Sequence, residues 1–182
     1  MKYFAYGSNM LTTRLQARVK SASNPTPFAL SHHRLHFHKR SSDYSGKCNV
    51  ICTNDSQDVV HGIIFDVKET EIPELDKYEG LGFGYLKEKF PIEFDEVEHD
   101  VLMYVADASL ATKIYIDDTL VPYNWYLTLV ITGAEEHGLP RDYVSKLREV
   151  PSKSDPKPNR KSRLEALDAL KKHKERLDSS GT

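Results

Sequence analysis

Two short stretches of this 182-residue chain hold residues whose types and spacing suit chemistry. The first is Tyr6-Gly7-Ser8-Asn9, directly after the apolar run Tyr3-Phe4-Ala5. A strand that ends in a turn of small residues exposes backbone N–H groups, and such groups bind oxyanions. Met10, Leu11 and Leu15 then recur about one helical turn apart, so the segment reads as strand, loop and helix, with Ser8 or Asn9 as the cap. A helix N-terminus would add its dipole to those donors. On spacing alone an ordinary strand-to-helix turn accounts for the same residues, because short glycine-containing motifs often arise by chance.

The second stretch is Glu79 with the loop Gly80-Leu81-Gly82-Phe83-Gly84 that follows it. Its glycines permit close backbone approach and movement. Ile72, Leu75 and Tyr78 recur at helical spacing and Pro73 suits a first turn, so a helix is predicted over 69–79, ended by Gly80. A carboxylate at the C-terminal end of a helix faces the negative end of the dipole, which penalises its charge. A carboxylate penalised in this way suits a general base working near neutrality. The plainer alternative is a solvated helix-end acid among Glu69, Glu71, Glu74 and Asp76.

Other chemistries find less support. His32, His33, His36 and His38 fall on one presumed strand, where His36 and His38 share an outward face. A metal centre needs three or four converging ligands, and no Cys-x-x-Cys, His-Glu-x-x-His or Asp-rich loop supplies them, so no metal is expected. Ser8 lacks the Gly-x-Ser-x-Gly elbow of a nucleophilic serine. Cys52 sits in an apolar strand and reads as inert packing. The group Tyr123-Asn124-Trp125-Tyr126 reads as helix core, although aromatic hydroxyls also line ligand pockets.

The elements that must position these residues follow from periodicity. Residues 24–27 read as a loop and 28–40 as a half-buried strand carrying Leu35 and Phe37. Residues 49–52 and 59–67 read as the two strands of a hairpin across a polar turn. Residues 84–92 and 101–105 return to strands joined by an acidic turn. A longer helix is predicted over 122–137, with Tyr126, Leu129, Val130, Gly133 and His137 on one stripe, then a short helix carrying Tyr143, Leu147 and Val150. Residues 151–159 are rich in proline and lysine and read as a linker. Beyond them Leu164, Leu167, Leu170 and Leu177 draw a thin apolar line along a basic helix. The plan is an α+β domain over 1–150 and a linker with a basic C-terminal helix over 151–182.

Bulk properties set outer bounds. A net charge of −2 argues against a protein that coats nucleic acid or a membrane surface. No apolar run approaches the roughly 20 residues of a membrane span, and no signal peptide is visible at the start. Cys48 and Cys52, four apart on a strand, would hold their Cα atoms about 13 Å apart, too far for a disulfide. A reduced cytoplasmic protein is the simplest account. The basic tail suits an acidic partner, nucleic acid or a second copy of the chain; its plainer reading is a solvated helix packed loosely through Leu164, Leu167 and Leu170.

Taken together, three blocks resemble the γ-glutamylcyclotransferase family: Tyr3-Phe4-Ala5-Tyr6-Gly7-Ser8-Asn9-Met10; Leu75-Asp76-Lys77-Tyr78-Glu79-Gly80 with Tyr85 shortly after; and Tyr126 through Gly133-Ala134-Glu135-Glu136-His137-Gly138-Leu139-Pro140, continuing to Tyr143 and Leu147. The resemblance covers nearly all of 1–150 and none of the tail, and Met10 stands where leucine is common. It implies a small mixed β-barrel flanked by helices, a catalytic Glu79, and a γ-glutamyl site formed by Tyr6, Gly7, Ser8 and Asn9, with Tyr85 and Tyr126 lining the cavity.

The implied activity is that of a cyclising lyase or acyltransferase with no cofactor. The α-amino group of a γ-glutamyl amide attacks its own γ-carbonyl, giving 5-oxoproline and a free amine or amino acid. The small-molecule γ-glutamyl substrate stays open among γ-glutamyl amino acids, γ-glutamyl amines, crosslink fragments and γ-glutamyl-capped intermediates, with the 80–84 loop and the 123–126 face as its determinants. The related glutathione-specific group differs after Tyr-Gly-Ser, which argues against that substrate. A non-catalytic binding module that keeps the cavity is the competing class, and a homodimer stays open.

Overall fold

Alternating apolar residues and two helical stripes organise this computed structural model, which describes residues 1–82, 84–94, 97–106 and 116–180. In chain order the elements are β1 (Lys2–Ala5), α1 (Thr12–Gln16), β2 (Ser23–Ser31), β3 (His33–Arg40), β4 (Gly46–Cys52), β5 (Val59–Asp66), α2 (Ile72–Glu79), β6 (Leu86–Phe94), β7 (Val97–Val105), α3 (Asn124–Glu136), α4 (Arg141–Glu149) and α5 (Lys161–Ser180). Short 3-10 turns at Ser8–Met10 and Glu69–Glu71 lead into α1 and α2. The predicted acidic turn between β6 and β7 has Asp95 and Glu96 outside the described residues, as is Phe83 of the glycine loop.

The strands form a five-stranded mixed sheet, ordered β2-β5-β1-β7-β6, and a separate ribbon of β3 and β4. The β1–β7 pair is parallel and the other pairs are antiparallel. The α+β class and the long C-terminal helix match expectation. The closed barrel implied by the resemblance is not formed among the described residues.

Two local expectations are corrected. Residues 49–52 and 59–67 do not pair as a hairpin: β4 pairs with β3, whereas β5 lies between β2 and β1. The break falls at His32, whose left-handed φ of 60° turns the chain between β2 and β3 and sends the ribbon away from the sheet. Residues 24–27 are not a loop but part of β2. That strand lies at the sheet edge, where Pro25 and Pro27 are tolerated because one side of the strand needs no donors, and its register shifts between Ser23 and Thr26.

The core lies between the sheet and α3. Phe4, Leu11, Leu15, Ile63, Leu75, Leu129 and Val130 are wholly buried. Gly133 makes the tightest helix contact: a Cβ there would lie 2.4 Å from the backbone N of Leu11 and 2.7 Å from the carbonyl carbon of Met10. A glycine in the stripe therefore lets α3 press directly on the turn after β1 and hold it in place.

The C-terminal helix packs differently from its leucine line. Leu164, Leu167 and Leu177 are exposed, while Ala166, Ala169 and His173 are buried and Leu170 is partly so. Small residues allow the axis of α5 to come close to α1 and α3, and Thr13 Oγ1 donates to Ala169 O at 2.8 Å. Upstream, Trp125 Nε1 donates to Asp155 at 3.1 Å and Arg160 pairs with the same carboxylate at 2.8 Å. Residues 151–160 are thus tied to the start of α3. Among the described residues no helix is long and apolar enough to cross a membrane.

Replacement of Gly133 by alanine tests this packing. Alanine is favoured in helix interiors by about 1 kcal/mol, yet overpacking against backbone costs about 1–3 kcal/mol. Gly133→Ala is expected to lower the unfolding free energy by up to about 2 kcal/mol, and the urea midpoint with it. A raised midpoint would show that the contact is slack.

Candidate active site

The turn after β1 leaves its first amides without an acceptor among the described residues and is not capped as the sequence suggests. Neither Ser8 nor Asn9 makes a side-chain cap. Met10 N–H donates to Gly7 O at 2.9 Å, so the N–H groups of Gly7, Ser8 and Asn9 stand at the open start of the turn. The N-terminus of α1 is taken instead by Glu136 of α3, whose Oε2 accepts from Thr12 N at 2.8 Å. The dipole of α1 is therefore spent on an internal carboxylate.

Asn9 is buried because its side chain has other work. Its Nδ2 donates to Tyr3 OH and to Glu79 Oε1, both at 2.9 Å, and its Oδ1 accepts from Arg18 Nη1 at 2.9 Å. Arg18 Nη1 also reaches Glu79 Oε1 at 3.0 Å. Glu79 is the last residue of α2, and Gly80 ends the helix in the left-handed conformation with φ of 65°, which turns the chain back toward the sheet. The Glu79 side chain is 15% exposed and that of Arg18 13%. A guanidinium and an amide thus hold one carboxylate oxygen. Among the described residues no donor is bonded to Oε2.

All seven residues expected in the site line one recess of about 40 Å³: Tyr6, Gly7, Ser8, Asn9, Glu79, Tyr85 and Tyr126. Tyr3, Cys48 and Tyr104 complete its walls. Tyr85 OH donates to Cys48 O at 2.7 Å, and Cys48 N–H donates to Tyr126 OH at 3.1 Å, so both tyrosines clamp the backbone of β4 beside the recess. Tyr6 OH donates to Tyr104 O. Burial first, then neighbouring groups, raises the pKa of Tyr3, Tyr6, Tyr85 and Tyr126 above the ordinary phenol value, so each stays a neutral hydroxyl.

Ser8, Glu79, Tyr85 and Tyr126 also face a wider cleft of about 450 Å³, which opens from the recess to the surface. Tyr78, expected on the buried stripe of α2, lies on this side: it is 46% exposed, with the Arg18 guanidinium 5.1 Å from its ring centre. Lys47 is held near the cleft by Asp43 at 3.1 Å and lies 4.6 Å from the centre of the Tyr126 ring and 4.9 Å from that of Trp125. Burial above all pulls its ammonium down to a pKa of about 8. Trp125 and Tyr126 are buried in the core as expected, and Tyr126 also reaches the recess.

Several remaining expectations are revised. His38 does not project outward: it is buried, with Nδ1 2.9 Å from Asp118 Oδ1 and Nε2 3.1 Å from Asn49 Nδ2. His36 stacks on it at 4.8 Å between ring centres, and His36, His38 and Asp118 bring their ligand atoms within 4.8 Å of one another, away from the recess. Cys52 is exposed at the end of β4, and it is Cys48 that is buried. Both thiols are free. The residue missed by sequence reading is Arg18. Its signal was present, since Arg14 and Arg18 stand four apart after the Tyr6–Asn9 turn, but a basic pair on a short helix ordinarily faces solvent.

The α+β fold that sets this helix-end carboxylate against the strand–turn recess is also found among known proteins, and the fold is γ-glutamylcyclotransferase-like. The model of the AIG2-like family matches residues 59–147. The γ-glutamylcyclotransferase of Bos taurus is 29% identical over 152 residues, covering 81% of this chain and 77% of the bovine protein, and that of Homo sapiens is 28% identical over the same coverage. A solved structure of a γ-glutamyl cyclotransferase shares the fold with a TM-score of 0.76, over 94% of this chain and 98% of that one, at 24% identity. The chain is thus similar to the AIG2-like family over residues 59–147 and to γ-glutamylcyclotransferases over 81% of its length.

The two thiols report on the recess independently of any substrate. Burial pushes the Cys48 thiol up to about 12. At about pH 8 such a group is thiolate in roughly one molecule in ten thousand. A disulfide reagent such as DTNB is expected to titrate one thiol in the native protein, that of Cys52, and two after guanidinium unfolding. Rapid reaction of both in the native state would show that the recess is open behind the turn.

Proposed function

We propose that this protein is a γ-glutamylcyclotransferase in which Glu79 is the general acid and base. The observation that carries this reading is the asymmetry of the Glu79 carboxylate. Asn9 and Arg18 both bind Oε1, no donor among the described residues is bonded to Oε2, and Glu79 lines both the recess and the cleft. The two donors fix the orientation of the group, and the second oxygen is available to take a proton.

A γ-glutamyl amide carries its own nucleophile. Its α-ammonium must lose a proton before the nitrogen can attack the γ-carbonyl, and Glu79 Oε2 accepts that proton. The N–C bond closes a five-membered ring, the ring nitrogen gives up a second proton as the amide C–N bond breaks, and Glu79 relays the two protons in turn to the departing nitrogen, which leaves as an ammonium. The products are 5-oxoproline and the free amine. Because the reaction is intramolecular, positioning supplies much of the acceleration: the protein must fold the chain of the substrate into attack geometry.

The recess suits the carbonyl end of that substrate. A space of about 40 Å³ takes a carbonyl and its nearest atoms, and it is bordered by the amides at the start of the Ser8–Met10 turn. Those N–H donors would receive the charge that develops on the oxygen, and loss of one such donor typically costs about 3–4 kcal/mol. The neutral tyrosine hydroxyls add no competing charge. The rest of the substrate extends into the wider cleft.

Incubation with a panel of γ-glutamyl dipeptides and amines, followed by mass spectrometry for 5-oxoproline, tests the activity. Glu79→Gln is expected to lower kcat/KM by about 10²–10⁴-fold and, because Arg18 loses its carboxylate, to lower the thermal transition as well, with circular dichroism confirming a folded variant at the assay temperature. Full activity in that variant would remove Glu79 from the mechanism. A wild-type protein that binds panel members and turns over none would favour the binding module.

A further inference from the structure

The cleft outside the recess carries more positive charge than a γ-glutamyl unit requires. Arg14, Arg18, Lys39 and Lys47 line it from the domain, and Arg160 and Lys161 from the C-terminal segment. Asp43, Glu79 and Glu165 oppose them among its lining residues, and Asp155 beside the cleft pairs with Arg160 at 2.8 Å, which leaves a smaller surplus. A γ-glutamyl unit brings one ammonium and one carboxylate, so it compensates none of this excess.

Each carboxylate already has a cation. Asp43 holds Lys47 at 3.1 Å, Glu79 holds Arg18 at 3.0 Å and Glu165 lies 3.5 Å from Arg14. Lys39 has no such partner among the described residues. Its half-buried ammonium rests over the Tyr85 ring, 4.5 Å from the centre, beside the recess. Burial lowers its pKa, as expected for a cation withdrawn from water. Arg14, which is 5% exposed, and Arg18 also leave their Nε–H groups buried without an acceptor. Those two donors are closed off from the cleft, so an ammonium without a carboxylate, in a cleft with surplus positive charge, is the group that a bound anion would complete.

We propose that this cleft binds a leaving amine with two or more negative charges, with Lys39 as the specificity-determining contact. The proposal rests on the cyclotransferase reading and narrows its substrate class. Ordinary amino acids offer one carboxylate, and polyamines offer further positive charge. An acidic amino acid or a phosphate-bearing amine offers a further anionic group to meet Lys39, with Lys161 and the Asp155-paired Arg160 at the rim. The C-terminal segment then belongs to the substrate site, because it supplies that rim.

The test compares kcat/KM for γ-glutamyl-glutamate, γ-glutamyl-phosphoethanolamine, γ-glutamyl-alanine and γ-glutamyl-putrescine on the full chain. At least one of the two polyanionic conjugates is expected to exceed the alanine conjugate by tenfold or more, with the putrescine conjugate slowest. The advantage should shrink as salt rises, since exposed charge attraction is screened over about 10 Å at 0.1 M ionic strength. Whichever polyanionic conjugate is faster identifies carboxylate or phosphate as the natural group. Lys39→Met should reduce the polyanion-to-alanine ratio about tenfold, and Lys39→Arg should restore much of it, with thermal melts confirming that both variants fold. Equal rates on the glutamate, phosphate and alanine conjugates, or a ratio unmoved in Lys39→Met, would overturn this proposal and leave the cyclotransferase reading standing. Turnover of no conjugate would overturn the cyclotransferase reading itself.

Discussion

A carboxylate withdrawn from water stays charged only if a cation and hydrogen-bond donors replace its solvent, and Glu79 has both on a single oxygen. This requirement organises the neighbourhood. Asn9 reaches Glu79 because the turn after β1 is held in place, and that turn is held because Gly133 lets α3 lie against the backbone of Met10 and Leu11. Arg18 reaches it from just beyond α1. Glu79 itself is placed by the end of α2, where Gly80 turns the chain. Removing one partner of such a buried pair leaves the other charge uncompensated, so the three side chains stand or fall together.

Much of this was legible in the sequence because it depends on local patterns. The helix over 69–79, its proline start and its glycine stop follow from residues within one or two turns of each other. The stripe on α3 was equally plain, and all seven expected site residues do meet at one recess. What escaped was set by long-range geometry. Strands β4 and β5 are neighbours in sequence and share turn residues, yet the bend at His32 sends them to different sheets. Nothing in local spacing says that Arg18 points at a residue 61 positions away. Cys48 and Cys52 have like surroundings in sequence, but only the depth of β4 in the fold buries one and exposes the other.

The C-terminal helix carries the same lesson in another form. Its leucines suggested the packed face, whereas alanines make it, because close approach of helix axes favours small side chains over large ones. Once α5 is docked on α1 and α3, Arg160 and Lys161 reach the rim of the cleft that opens from the recess. A segment that reads as an appendage therefore shapes the side of the site where the leaving amine would lie. The recess and the cleft differ accordingly: one is small and walled by tyrosines around the Glu79 carboxylate, the other wide and cationic.

The central claim is that Glu79 and the Tyr6–Asn9 turn grip opposite sides of one reacting group. The most direct measurement is a crystal structure of the protein with 5-oxoproline, the ring that the reaction would make. The account predicts the ring carbonyl oxygen in the recess against the Gly7–Asn9 amides and the ring nitrogen about 2.8–3.0 Å from Glu79 Oε2. A ring bound in the outer cleft, or a ring nitrogen facing away from Glu79, would contradict it.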